Sequence, residues 1–328
     1  GVTITIAAGS LTGTATVTAV NDTVYEPGAN ETVIVDIDTV TNGTESGIQQ
    51  RTTDIVDNDA APSVTLTVDD TSITEAAPET ATFTATLSNA SSQAVTVNLL
   101  YSGTATLTND YTRSGVTITI AAGSLTGTAT VTAVNDTVYE PGAAETVIVD
   151  IDTITNGTES GTQQQTTNIV DNDAAPSVTL TVDDISITEA APETATFTAT
   201  LSNASSQAVT VNLLYSGTAT LTNDYTRSGV TITIAAGSLT GTATVTAVND
   251  TVYEPGANET VIVDIDTVTN GTESGIQQRT TDIVDNDAAP SVTLTVDDTS
   301  ITEAAPETAT FTATLSNASS QAVTVNLL

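Results

Sequence analysis

Residues 1–100 recur without a single change as residues 229–328, and the stretch between them is nearly the same again. The period is 114 residues, and the middle copy departs from the first at six positions. Asn30 becomes Ala144, Val40 becomes Ile154, Ile48 becomes Thr162, Arg51 becomes Gln165, Asp54 becomes Asn168 and Thr71 becomes Ile185. Solenoid repeats run about 20–50 residues and bury their apolar faces only by stacking. A unit of 114 is large enough to close a core of its own. Each unit is therefore expected to be a whole domain, and the chain a string of them.

Inside a unit the patterning is β throughout. In the copy bounded by Pro62 and Asp173, apolar and polar residues alternate with period two in seven short runs. These are "SVTLTV" at 63–68 with "SIT" after a kink, "TATFTATL" at 80–87, "AVTVNLLY" at 94–101, "GVTITIA" at 115–121, "TGTATVTAV" at 126–134, "ETVIVDIDTIT" at 145–155 and "QQQTTNIV" at 163–170. Such alternation suits strands with one buried face, so Val116, Ile118 and Ile120 are expected to point inward. Seven strands with turn residues between them and no helical stretch predict an all-β fold: tandem immunoglobulin-like β-sandwiches on a 114-residue repeat. The expected division is 1–59, the C-terminal half of a domain; 62–173 and 176–287, two complete domains; and 290–328, the N-terminal part of another. The chain opens inside one strand pattern and stops inside another, as a stretch cut from a longer array would.

Charge narrows the partners. The chain has 40 Asp and Glu against 4 Arg and no Lys, a net charge of −36. Nucleic acid and anionic membrane would both repel it. With no Cys and no His, thiolate and imidazole ligands are unavailable as well. No apolar run approaches the ~18 residues of a spanning helix, so no membrane insertion is expected.

In an antiparallel sandwich successive turns alternate between two poles. Sorted this way, Glu75, Asp110, Asp136, Glu140, Asp171 and Asp173 all fall at one pole, whereas the opposite turns "SNASSQ", "AAGS" and "NGTESG" hold a single Glu. Carboxylates gathered so closely repel, by roughly 4 kcal/mol for two charges 4 Å apart at an effective dielectric of 20. The compensating charge must come from solution, and Ca²⁺, which takes six to eight oxygen ligands in flexible geometry, fits best. The competing reading is that these loops are merely solvated and keep a fibrous protein soluble.

The stretches "GTATLTNDYT" and "VNDTVYEPGAAETVIVDI" with the closing "IVDND" resemble the Calx-beta domain of sodium–calcium exchangers and bacterial surface proteins. The resemblance covers essentially the whole unit. It implies calcium ligands at Glu75, Asp110, Asn135, Asp136, Glu140 and the triplet Asp171 to Asp173, with the backbone carbonyl of Val138 as a further candidate. In the next copy the same positions are Glu189, Asp224, Asn249, Asp250, Val252, Glu254, Asp285 and Asp287. Asn135 and Asn172 stand where strong calcium binders of the family carry Asp, which implies fewer ions or weaker affinity. Val147 replaces the family's usual Phe, so a leaner core is expected.

Other features have plainer accounts. The T-x-T runs suit β-propensity on a solvated face, with O-linked glycans or an ice-binding array as alternatives. Asn-x-Ser/Thr sequons at Asn21, Asn30, Asn42 and Asn89, and at their equivalents except Ala144, mark turns that could carry glycans. Asp136 and Glu140 could imitate the carboxylate pair of a glycoside hydrolase. No aromatic-lined cleft accompanies them, so no enzyme is expected. These features point to an extracellular or cell-surface protein, of bacterial type: a calcium-rigidified rod or filament, as in an adhesin stalk. The alternative is a calcium-sensing module of a larger membrane or signalling protein. Neighbouring copies of the unit, head to tail, are the expected partners. Residues 290–328 of one molecule could even complete residues 1–59 of the next by strand complementation.

Overall fold

The computed structural model describes every residue except Pro192, Ala305 and Pro306. It divides into two compact units, Gly1–Asp136 with Ala144–Asp171, and Thr137–Ala143 with Asn172–Leu328. Strands are the only regular elements among the described residues, and no helix is long and apolar enough to cross a membrane.

In the second unit, residues 177–284 build two five-stranded sheets. One runs in the order Tyr225–Arg227, Thr240–Ala247, Thr194–Leu201, Ser177–Val182, Thr272–Glu273. The other runs Ser186–Thr188, Gln278–Val284, Glu259–Thr269, Val209–Gly217, Thr231–Ile234. The period-two pattern decides the inner faces: Thr194–Leu201 alternates strictly, with Ala195, Phe197, Ala199 and Leu201 buried. Val178, Leu180, Val211, Ile232, Val245 and Val263 fill the space between the sheets. Phe197 is the one Phe of this core, and Val, Ile, Leu and Ala side chains with Tyr225 supply the rest. Gly241 is required where the sheets meet, because a Cβ there would lie 2.7 Å from the Ile232 side chain.

The first unit repeats this sandwich over residues 63–170, with the same strand order and registers. Ile118 and Ile120 are buried as the alternation predicts. Val116 is not: it precedes the Thr117–Ile120 strand and is 49% exposed. Its backbone carbonyl accepts the Leu99 N–H, so the residue closes the sheet edge with its main chain and leaves its side chain outside.

The strands depart from the expected seven in two ways. Short segments at Tyr111–Arg113 and Thr158–Glu159 extend the sheets. The break after Val68 also moves the chain across the sandwich, so that Ser72–Thr74 pairs in parallel with Gln164–Val170 in the opposite sheet. Residues 1–59 form less than the pattern suggests. Glu31–Val35 pairs with Arg51–Ile55, but 2–6 and 12–20 form no strands. In the complete copy their equivalents pair with Val95–Gly103 and Thr80–Leu87. Residues 1–59 contain no counterpart of either partner. Likewise, among the described residues of 290–328 only Val292–Val296 with Phe311–Leu315, and Ala318–Ser319, are strands.

A recurrent contact joins each "TVYEPG" loop to the following "NASSQ" turn. In the first unit Tyr25 bridges Ser91 in parallel: its N–H donates to the Ala90 carbonyl, and the Ser92 N–H returns to its own carbonyl, both at 2.9 Å. In the second unit Val252–Tyr253 pairs with Ala318–Ser319, and the Gln321 side chain donates to the Pro255 carbonyl.

Candidate metal centre

Each loop at the acidic pole of the 176–287 copy is shaped by its own backbone chemistry. Gly217 ends the Val209–Gly217 strand at φ +120°, a conformation that favours glycine. A Cβ there would meet the Thr260 carbonyl oxygen at 2.1 Å. The turn leads into 218–224, where the Asp224 carboxylate accepts the Thr220 N–H and the Asp224 N–H donates to the Thr220 carbonyl. Thr222 sits at φ +78° inside this loop, a strained position for a β-branched residue. The next loop, 248–258, is turned by Asp250, whose carboxylate accepts the Val252 N–H at 2.7 Å. After the last strand, Asp285 ties two segments together: its oxygens accept the Glu254 N–H and the Asp287 N–H, each at 2.8 Å.

These loops bring carboxylates into two groups. Oxygens of Glu189, Asp250 and Asp287 lie within 4.8 Å of one another, and so do those of Asp224, Glu254 and Glu259. Glu189 and Asp224 are among the few buried charged residues, at 3% and 7% exposure. Burial first, then the neighbouring Glu254, Asp250, Asp285 and Asp224 charges, push the Glu189 carboxyl up to about 7. Burial first, then the abutting Asp224 carboxylate and the Glu254 and Glu189 charges, push Glu259 up to about 8. Burial also raises Glu254 and Asp287, with carboxylate repulsion adding to both. The arginines of this copy are committed elsewhere: Arg227 stacks 4.4 Å over the Tyr215 ring, and Arg279 donates to the Gln278 carbonyl.

The groups sort the sequence candidates. Glu189, Asp224, Asp250, Glu254 and Asp287 stand in them. Asp285 stands outside both and holds backbone instead. The Asn249 side-chain oxygen accepts the Asn286 amide at 3.1 Å, and Val252 lies in the paired segment. Glu259 was missed, because the sequence presents it as the first residue of a strand pattern. The signal available was its position, the strand's first residue at the acidic pole. In the preceding copy Glu75 and Asp110 are buried, Asp136, Glu140, Asp171 and Asp173 half-buried, Asn135 exposed and Val138 half-buried. Glu145 is the counterpart there of Glu259.

The donor set suits a hard divalent cation. Every side chain in the two groups offers oxygen, and Asp287 Oδ2 and Glu259 Oε2 are buried with no hydrogen-bond partner. Buried polar atoms are nearly always satisfied in folded proteins, so each such oxygen calls for an account. Oxygen ligands in irregular loops fit the coordination habits of Ca²⁺.

Two immunoglobulin-like sandwiches in tandem, each with carboxylates from separate loops drawn to one pole, define a modular repeat protein. A family model for the Calx-beta domain matches residues 57–173 and again 171–289, and the chain belongs to that family. Among curated proteins none matches the chain. Among solved structures, that of CBD12 from CALX1.2 is similar at 14% identity, over 60% of this chain and 77% of that one, with a TM-score of 0.28. The apo form of the Calx CBD1 domain is similar at 14% identity, over 34% and 98%, with a TM-score of 0.29. FdeC, an Escherichia coli adhesin, is similar at 16% identity, over 77% and 74%, with a TM-score of 0.24. At these identities and scores the likenesses carry no argument about function.

Proposed function

We propose that this is a non-catalytic structural protein of the cell surface or extracellular space, of bacterial type, whose repeats bind Ca²⁺ and stack head to tail as a rod or filament. The observation that carries the reading is the pair of carboxylate groups in one repeat, with buried oxygens of Asp287 and Glu259 that have no hydrogen-bond partner. Glu189, Asp250 and Asp287 would hold one ion, and Asp224, Glu254 and Glu259 a second. The ion supplies positive charge that no side chain at this pole provides, and it ties together loops from opposite ends of the domain sequence. Near-identical copies support a spacer over a sensor, since a spacer gains length from each added copy. The paired segments Tyr25 with Ser91 and Val252–Tyr253 with Ala318–Ser319 favour a string with restrained joints.

Glycans fit only some of the sequons. The Asn203 amide donates to the Ala174 carbonyl and Ser205 is buried, so this sequon serves the fold. The Asn270 amide is likewise bound to the Ala208 carbonyl. Asn258 is exposed and open to a glycan in this copy, and Asn249 is exposed too, with its side-chain oxygen accepting the Asn286 amide.

Thermal melting tests the cation reading. An ion that binds only the folded state adds about 2.7 kcal/mol at a hundredfold excess over its dissociation constant. The chain is expected to melt several degrees higher in millimolar calcium than in EDTA, and Glu189→Gln with Asp224→Asn to shrink that difference. Superimposable melts with and without calcium would remove the metal from the account.

A further inference from the structure

In each sandwich a short strand near the start of the domain and a strand at its end are locked lengthwise. Ser186–Thr188 lies at the start of the repeat and Gln278–Val284 at its end, yet the two are parallel neighbours in one sheet. The register pairs Ser186 with Asp282, Ile187 with Ile283 and Thr188 with Val284. Bonds continue beyond the pairing on both sides: the Asp282 N–H donates to the Ile185 carbonyl at 2.9 Å, and the Glu189 N–H to the Val284 carbonyl at 3.3 Å. Ile187 and Ile283, side by side, are 0% and 2% exposed, so the core shields one face of this ladder from water. The first strand, Ser177–Val182, is held in the other sheet by antiparallel pairing from Val178 to Val182 against Phe197 to Leu201.

Tension between the ends of the repeat pulls residues 177–188 toward the N-terminus and 278–284 toward the C-terminus. Because the two clamp strands are parallel, those pulls act along the strand axis in opposite directions. The hydrogen bonds are then loaded together, in shear, and must give way nearly at once. Pulled sideways, the same strands would peel, one bond at a time. Forced unfolding is governed by the unfolding barrier and not by equilibrium stability, so the direction of load decides how much force the repeat withstands.

We infer that each repeat is a load-bearing element, with Ser186–Thr188 against Gln278–Val284 as its shear clamp, and Ser72–Thr74 against Gln164–Val170 as the same device in the preceding copy. The inference goes beyond cation binding and does not depend on it.

Residues 1–328 contain no Cys, so thiol handles can be placed at will in this chain. Ala174→Cys with Ala288→Cys applies force along the ends of the second repeat. Ile185→Cys with Ile276→Cys, both on exposed residues, pulls apart the leading ends of the two clamp strands. Single-molecule pulling at one loading rate, in EDTA and again in millimolar calcium, compares the two. The end-to-end pair is expected to unfold at a force several-fold above the peeling pair in whichever buffer the repeat is folded. Equal forces, or a weaker end-to-end response, would overturn the clamp. Calcium-independent melting would leave this result untouched, so the two readings fail separately.

Discussion

The hydroxyl of Thr281 is buried on the core side of the Gln278–Val284 strand and has no hydrogen-bond partner, and Thr167 repeats the arrangement in the preceding copy. A buried hydroxyl left unsatisfied costs about 1–3 kcal/mol. Valine keeps the shape and removes the polar atom. Thr281→Val is therefore expected to stabilise its repeat by about 1 kcal/mol, read as a rise in melting temperature, and a fall would show that the hydroxyl is bonded after all. The carboxylates at the pole make a second prediction. Glu189 and Glu259 ionise at about 7 and about 8 in the folded chain, against an ordinary value of 4.5, chiefly because of burial. A group raised in the fold favours folding fully below its unfolded value and loses that contribution as pH rises through the folded one. In EDTA the melting temperature should thus climb as pH is lowered from about 8.5 toward 5, and calcium should flatten the trend. Asp183, lowered by the N–H of Thr196, weakens the fold only as pH drops below the ordinary 3.8, outside that window. Five of the six grouped residues were legible in the sequence because turn carboxylates can be sorted by pole. Glu259 was not, since its place at the first position of a strand concealed that it faces Asp224.

At the level of elements, the loop after Val209–Gly217 depends on one backbone position. Alanine at 217 would be strained at φ +120° and would set its Cβ 2.1 Å from the Thr260 carbonyl oxygen, which is main chain and cannot swing away. Gly217→Ala is expected to destabilise the second repeat by about 2 kcal/mol or more and to weaken calcium binding at Asp224. Urea unfolding with and without calcium checks both, and an unchanged midpoint would count against this loop geometry. The main strands were legible because a half-buried strand must alternate. The short segments Tyr225–Arg227 and Thr272–Glu273 were not, because three residues or two show no period. The pairing of Ser186–Thr188 with Gln278–Val284 spans almost the whole repeat and leaves no local trace. Val116 shows the limit of alternation itself: the pattern ran past the hydrogen-bonded strand by one apolar residue.

Across the whole molecule, the sequence repeats its acidic motifs more often than it completes them. Residues 1–59 carry Asp22, Glu26, Glu31 and Asp59, the counterparts of Asp250, Glu254, Glu259 and Asp287. They contain no counterpart of Glu189 or Asp224, the two buried members of the groups. Residues 290–328 offer Glu303 in the place of Glu189 but nothing in the place of Asp224 or of the later loops. What remains in 1–59 is a partial set in which Asp22 and Glu31 are exposed and Glu26 is half-buried, raised first by repulsion from Glu31 and then by burial. Solvent screens such charges and carries away much of the reason to hold an ion. The 176–287 repeat should therefore bind two ions tightly, one at each carboxylate group, while 1–59 adds none. Calorimetric titration of residues 1–328 counts the tight ions, and Glu189→Gln with Asp224→Asn should lower that count by two. A double variant that loses none would place the ions somewhere other than these loops.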